Sequence, residues 1–204
     1  MDRLFTAPDA WSGGAFEILM FLGRVDRLQV RNLLAALWAL PPLEGCWRDG
    51  NAEPEESTRL HPADGDLESD GVLRGLAELP NGCRCPCSSV VVTDDDGSWV
   101  YFGMPLGSLG RCYPVDAYPF EAETDRSWVG PVSEWLADIG RGVYSAASFR
   151  AAVTGFLTTL EVDEVRGITT GEIPAERWNG HLRPEATGLA WYPPNAGSAP
   201  MRIG

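Results

Sequence analysis

Residues 72–104 read VLRGLAELPNGCRCPCSSVVVTDDDGSWVYFGM and contain three short apolar runs rich in β-branched and aromatic side chains. The runs at 72–79, 85–93 and 98–104 predict three consecutive strands. The last two runs are joined by Asp-Asp-Asp-Gly at 94–97, and Asp-Gly between such runs is a strong hairpin signal. A series of strands joined by short turns favours an α+β fold with antiparallel pairing.

The region before this segment predicts a strand, a helix and a second strand. Residues 15–22 form a nearly continuous apolar run bounded by glycines, which is typical of a buried strand. Asp26 precedes Gln29 by three residues, a spacing that predicts a capping box at the start of a helix. The helix is expected to end before the Pro-Pro pair at 41–42, and residues 43–47 predict the second strand.

The region after residue 104 predicts a second helix followed by strands. That helix is expected to begin near Pro131, because proline is favoured in the first turn of a helix. The remaining predicted elements are a strand at 149–160, one helical turn at 174–178 and a hairpin with strands at 178–183 and 189–192.

We interpret residues 1–204 as a single α+β domain, with a mixed, mostly antiparallel sheet and two main helices packed on one face. Residues 49–70 are rich in Asp, Glu and Pro and have little apolar periodicity, which predicts a mobile acidic loop. A functional lid is the alternative for this loop. Residues 195–204 follow a Pro-Pro pair and are expected to form a frayed tail.

The chain is strongly acidic, and its basic residues are all arginine. The sequence has 29 Asp and Glu against 16 basic side chains, a formal net charge of −13, and no lysine. Lysine is required by Walker-type phosphate loops, by Schiff-base chemistry and by protein kinases, so these classes are excluded. An acidic field repels nucleic-acid phosphates and attracts a basic protein partner. The arginine-only composition is compatible with a GC-rich bacterial genome.

Nothing in the sequence predicts export or membrane insertion. Residues 1–11 lack the apolar stretch of a secretory signal, and the apolar run at 16–22 is far too short to span a bilayer. The five cysteines are odd in number, and their spacing is not that of a small disulfide scaffold. We therefore expect a cytoplasmic protein with reduced thiols and no membrane partner, and the oligomeric state stays open.

Three cysteines, Cys83, Cys85 and Cys87, alternate along one short segment, and Cys112 follows later in the chain. On an extended strand their side chains lie about 6–7 Å apart, whereas tetrahedral zinc needs sulfurs about 2.3 Å from one metal. A tight turn could close that gap, with Cys112 or His61 as a fourth ligand. We expect small buried core residues instead, hence no metal and no cofactor. A redox or reactive thiol is the remaining alternative.

The sequence offers three catalytic candidates. Glu17 interrupts the apolar run at 15–22, so a buried carboxyl with a raised pKa could act there as a general acid. More often, such a residue faces solvent on an edge strand or pairs with an arginine. Cys87 and His181 could form a thiol–imidazole pair if the fold brings them together. These residues would belong to a small hydrolase or transferase.

Tryptophan is abundant, with eight residues in the chain. The partner-binding candidates are aromatic residues in a predicted loop or hairpin: Trp128, Trp178, Trp191 and Tyr192. Aromatic residues of this kind more often cover a sheet, but exposed ones are typical binding anchors. Together with the acidic charge, they favour a non-enzymatic interaction or inhibitor-like module that binds a basic partner. The enzyme, and a metal or redox module on residues 83–87, are the alternatives.

Overall fold

The computed structural model describes residues 3–48, 50–62, 71–115, 125–156, 167, 169, 172–186 and 188–196. The elements in chain order are β1 (Ala15–Gly23), α1 (Arg27–Trp38), β2 (Leu43–Trp47), β3 (Val72–Glu78), β4 (Arg84–Thr93), β5 (Ser98–Pro105), α2 (Leu106–Leu109), α3 (Val129–Ala146), β6 (Ala151–Gly155), β7 (Gly180–Glu185) and β8 (Gly188–Tyr192). A 3₁₀ turn at Pro54–Glu56 lies between β2 and β3.

The eight strands form one sheet in the order β2-β3-β4-β5-β1-β6-β7-β8. All pairings between neighbouring strands are antiparallel across the described part of the chain, which confirms the α+β fold. The predicted hairpin at 94–97 joins β4 to β5, with Thr93 paired to Ser98. Strand β1 lies between β5 and β6, so the first strand of the sequence is at the centre of the sheet.

The two longer helices lie in connections between strands that are not neighbours. The connection through α1 leads from β1 to β2, at one edge of the sheet, and the connection through α3 leads from β5 to β6, across β1. One connection ends at an edge strand and the other ends next to the centre. The strand–helix–strand units of α1 and α3 therefore differ in topology.

The main core lies between the sheet and the two longer helices. Alternate residues of β1 face this core, and Phe16, Ile18 and Met20 are at most 1% exposed. The helices contribute buried stripes at helical spacing: Val30, Leu33, Leu34 and Leu37 from α1, and Val132, Leu136, Ile139 and Val143 from α3. Both helices therefore cover the same face of the sheet.

The start of α1 is the predicted capping box. The Asp26 carboxylate accepts a hydrogen bond from the Gln29 backbone N–H at 2.8 Å, and the Gln29 side-chain oxygen accepts one from the Asp26 N–H at 3.1 Å. Helix α3 begins at Val129, two residues before Pro131, so the prediction for this start was close.

Gly140 allows α3 to approach the sheet closely. A Cβ at this position would lie 2.5 Å from Leu182 Cδ1 on β7 and 2.9 Å from Ile18 Cδ1 on β1. The helix accepts a residue that is about 1 kcal/mol less favourable than alanine because a side chain would push it off the sheet. Gly142 faces Leu40 instead of the sheet.

The face of the sheet away from α1 and α3, here called the back face, carries two smaller apolar clusters. One covers β1, β5 and β6 and consists of Leu19, Phe21, Trp99, Ala151 and Val153, with Ile173 packed against it. The other joins Trp47 and Leu76 to Phe5 of the N-terminal segment. Glu17 and His181 also lie on the back face.

Residues 174–178 form no helical turn, so that prediction was wrong. The Arg177 guanidinium donates hydrogen bonds to the carbonyls of Pro174 and Ala175, and the Arg177 backbone N–H donates to Asn195 Oδ1 at 2.7 Å. These contacts satisfy in a loop the groups that a helical turn would pair within itself.

Several predicted segments lie partly or wholly outside the described residues. The predicted strand at 149–160 is shorter, since β6 ends at Gly155 and residues 157–160 are outside the described chain. Residues 49 and 63–70 of the predicted acidic loop and residues 197–204 of the predicted tail are also outside it. None of the helices that the structure describes has the length and apolar character needed to cross a membrane.

Candidate functional site

Glu17 lies on the back face, near the start of the central strand β1. The register pairs it with Gly103 of β5 and with Gly155 of β6, so neither neighbouring strand places a side chain beside it. A Cβ built on Gly103 would overlap the Cβ of Glu17. The two glycines place no side chain of their own beside the carboxyl group, and we call the surroundings of Glu17 between Gly103 and Gly155 the Glu17 depression. Glycine inside a strand pattern is the sequence signal for such a close approach.

Polar side chains surround this depression. Ser88 of β4 pairs with Gly103 on the side away from β1. The Asn179 side chain lies against Gly155, where a Cβ would overlap its Oδ1. Tyr101 lies two residues from Gly103, on the same face of β5. Sequence reasoning identified none of these neighbours, because three separate strand pairings bring them together.

Burial dominates the electrostatics of Glu17. It raises the pKa of this carboxyl from 4.5 to about 7, because the carboxylate loses water and no described residue donates a hydrogen bond in its place. The pKa of the Tyr101 hydroxyl is also raised, first by burial and then by the negative charges of Glu17 and Asp94. At neutral pH the Glu17 carboxyl is therefore divided between its neutral and ionised forms.

His181 shares the back face with Glu17 but lies two strands away. It pairs with Val153 of β6, which in turn pairs with Leu19 of β1. Its side chain is 5% exposed, and Nδ1 has no hydrogen-bond partner among the described residues. Burial, with a smaller effect of the Arg177 charge, lowers the pKa of the imidazole to about 4, so His181 is neutral at physiological pH.

The back face thus combines a carboxyl that ionises near pH 7 with a neutral imidazole. One carboxyl cannot supply the pair of carboxylates that glycoside hydrolysis requires. A desolvated carboxyl is, however, well suited to pair with an incoming cation, because the cation restores the electrostatic stabilisation that burial removed.

The structure separates the cysteines into two groups. Cys83 and Cys112 form a disulfide, so the prediction of reduced thiols was wrong for these two residues. Cys85 and Cys87 are free and buried in the core on the helix side of β4, and burial raises the pKa of both thiols. Within the described chain, no group of three His, Cys, Asp or Glu side chains is arranged to hold a metal ion.

Cys87 and His181 do not form a catalytic pair. Cys87 faces the helices from β4, whereas His181 faces the opposite side of the sheet from β7, with three strands between them. At about 4.8 Å per strand, this separation is far beyond hydrogen-bonding reach. His61 lies apart from both, beside the end of α1.

The four aromatic candidates have different environments. Trp128 is 2% exposed and belongs to the main core. Trp191 packs against that core, and its Nε1 donates to the Glu134 carboxylate of α3 at 2.6 Å. Tyr192 donates its hydroxyl hydrogen to Glu185 at 2.5 Å. Trp178 remains 36% exposed and is therefore available for contact with a partner.

A separate groove of about 390 Å³ lies between the end of α1, strand β2 and residues 59–62. Its walls are apolar and consist of Ala35, Trp38 and Ala39 on one side and Leu60 and Pro62 on the other. Arg59 and His61 supply its ionisable groups. No short-range pattern in the sequence signals this groove, because a helix end, a strand and a loop form it jointly.

No protein-family model matches this chain, and no curated protein or solved structure is similar enough to give a match. Its function therefore has to be inferred from the arrangement of its own residues.

Proposed function

We propose that the chain is a non-enzymatic, inhibitor-like interaction module that acts in the cytoplasm and binds a basic protein through the Glu17 depression. The observation that supports this proposal is a partly desolvated carboxyl between two glycines, Gly103 and Gly155. An arginine or lysine side chain of the partner enters the depression and pairs with the Glu17 carboxylate. The net charge of −13 attracts such a partner and accelerates the encounter.

Trp178 supplies the apolar part of the contact. It immediately precedes Asn179, whose side chain lies against Gly155, so it is close along the chain to the Glu17 depression. An exposed indole near the contact suits an arginine-rich partner, because a guanidinium can stack on the ring.

Binding through Glu17 is linked to protons. A cation beside the carboxylate favours its ionised form, so binding below about pH 7 must release the proton that Glu17 carries in the free protein. The affinity for a basic partner is therefore expected to rise as the pH rises through about 7 and to level off above it.

Isothermal titration calorimetry with an arginine-rich peptide tests the proposal. Glu17→Gln is compared with Glu55→Gln, which removes the same charge from the exposed 3₁₀ turn. We expect Glu17→Gln to weaken binding about tenfold, because it removes the direct pairing, and Glu55→Gln to weaken it less than about twofold. Equal weakening by the two variants would show that only the overall charge matters and would contradict a role for the depression.

The alternative function, a hydrolase or transferase, is favoured by one observation. A carboxyl with a pKa of about 7 is suited to general acid–base catalysis at neutral pH. Turnover of nitrophenyl esters, with a pH profile whose inflection near 7 disappears in Glu17→Gln, would support this alternative. Peptide binding without turnover supports the interaction module.

The proposed cytoplasmic location bears on the Cys83–Cys112 disulfide. Disulfides persist mainly in oxidising compartments and are uncommon in a reducing cytoplasm. Alkylation of the free thiols in intact cells before lysis, followed by mass spectrometry, shows whether this pair is oxidised where the protein acts. A pair that is fully oxidised in the cell would speak against the cytoplasmic part of the proposal.

A further inference from the structure

Contacts within the chain hold the walls of the groove beside α1 in place. Trp38 Nε1 donates a hydrogen bond to Ser89 Oγ at 3.0 Å, and the indole ring lies over Gly45 and Gly75, where a Cβ would overlap it. On the other side, the Leu60 N–H donates to the Cys46 carbonyl at 2.7 Å. A groove whose walls are already fixed binds a ligand with little loss of conformational entropy.

Arg59 supplies a fixed positive charge in this groove. Its Nε donates to the Gly45 carbonyl at 2.6 Å, which holds the guanidinium beside β2. The two Nη groups take no part in this bond, and they can donate together to the oxygens of a carboxylate. Among the residues that the structure describes, none that lines the groove is an Asp or Glu, although the chain as a whole is acidic.

The shape and charge of the groove together point to one class of ligand. We infer that the groove binds a small aromatic carboxylate, with its ring between the end of α1, at Ala35 and Ala39, and Leu60, and with its carboxylate on Arg59. The volume of about 390 Å³ is within the range of small-molecule sites. Apolar walls with one charged group that fixes the orientation are the usual composition of such sites.

Two features of the chain oppose an anion here. The groove adjoins the C-terminal end of α1, whose free carbonyls carry a partial negative charge, and the net charge of the chain is −13. The helix end contributes only a fraction of a unit charge, and the distant acids are screened by salt. Arg59 carries a full charge at contact distance, so its attraction prevails.

Titration with 2-naphthoate and with its neutral analogue 2-naphthamide, followed by the backbone amide NMR signals, tests the inference. We expect naphthoate to shift the signals of Ala35, Ala39, Gly45 and Leu60 and to bind about tenfold more tightly than naphthamide. Arg59→Gln should remove this preference and leave naphthamide binding within about twofold of wild type. Arg31→Gln, on an exposed position of α1 outside the groove, is the charge-matched control.

Arg59→Gln also removes the hydrogen bond to the Gly45 carbonyl, which could loosen residues 59–62. A second variant therefore tests the groove without changing Arg59. Ala35→Leu fills the groove from α1 and should abolish binding of both compounds, whereas Ala36→Leu, next to it and outside the lining, should not. Equal affinity for the two compounds, or no binding up to about 5 mM, would overturn the inference. Changes in the NMR signals that are confined to residues of the Glu17 depression would also overturn the inference. Glu17→Gln should leave naphthoate binding unchanged, so this test is independent of the proposed function.

Discussion

Glu17→Gln is expected to stabilise the folded protein at neutral and alkaline pH. Glu17 is an acid whose pKa is raised from 4.5 to about 7 on folding. Below about pH 4.5 the carboxyl is protonated in both states and has no effect on stability. As the pH rises from about 4.5 to 7, the unfolded state ionises first, so the free energy of unfolding falls. Above about pH 7 the carboxyl is ionised in both states, and the free energy of unfolding falls no further.

The size of the effect follows from the difference between the two pKa values. At about 1.36 kcal/mol per pH unit, the loss reaches about 3 kcal/mol, a large share of the 5–15 kcal/mol that is typical of a domain. Glutamine keeps the size of the side chain and removes the ionisation. Its amide N–H groups need acceptors in the depression, which costs about 1 kcal/mol at every pH and leaves the pH dependence unaffected.

The pH dependence of wild-type stability does not by itself measure the contribution of Glu17, because His181 changes the unfolding free energy with pH in the opposite direction. The pKa of His181 is lowered from 6.5 to about 4 on folding, so the fold loses stability as the pH falls through that range. The two effects oppose each other between about pH 4.5 and 6.5. The informative quantity is the difference in unfolding free energy between Glu17→Gln and wild type.

Urea denaturation at several values between about pH 4.5 and 8 measures that difference. We expect it to grow by about 3 kcal/mol in favour of the variant between the two ends of this range. Glu55→Gln, in the exposed turn, should track the wild type at each pH. A Glu17→Gln difference that stays constant over the whole range would refute a buried carboxyl with a raised pKa.

The other predictions concern the histidine, the helix glycines and the disulfide. His181→Asn should retain more stability than wild type near pH 4.5, because the unfolded histidine no longer gains a proton there; identical acid sensitivity of the two in urea titrations would contradict this. Gly140→Ala should lower the free energy of unfolding by about 1–2 kcal/mol through the clash with Leu182. Gly130→Ala, where no atom of the described residues lies within 4 Å of a new Cβ, should raise it by up to about 1 kcal/mol. Purified protein unfolded without reductant should show three reactive thiols, as the structure has three free cysteines, and five of them before reduction would contradict the disulfide.

Features set by neighbouring residues could be predicted from the sequence. The capping box at Asp26 and the Asp-Gly hairpin at 94–97 depend on residues a few positions apart, and both are present in the structure. The strand at Leu43–Trp47 and the buried stripes of the helices follow from periodicity. Glu17 stood out because it interrupts an apolar run, but such a residue more often faces solvent or pairs with an arginine, whereas the structure places it partly buried.

Features set by distant pairings could not be predicted. The position of β1 between β5 and β6, and with it the glycines beside Glu17, depends on which strands meet across the sheet. Period-two patterns indicate which residues share a face but not which strand lies next to which. The same limit applies to Cys83 and Cys112, because cysteine connectivity does not follow from spacing. The prediction of a helical turn at 174–178 was wrong for another reason. The side chains of Arg177 and Asn195 form hydrogen bonds with the backbone of this segment and hold it as a loop.

The central position of β1 has a consequence for biosynthesis. This strand, with the sequence AFEILMFLG, leaves the ribosome before either of its partners, β5 and β6. Until they follow, a nascent chain carries an apolar strand with two unpaired edges, which is an opportunity for aggregation. In the unfolded chain Glu17 has its ordinary pKa near 4.5 and is charged at neutral pH. A charge within an apolar strand hinders association with other chains. The Glu17 carboxylate therefore lowers the stability of the native protein but protects the nascent chain against aggregation.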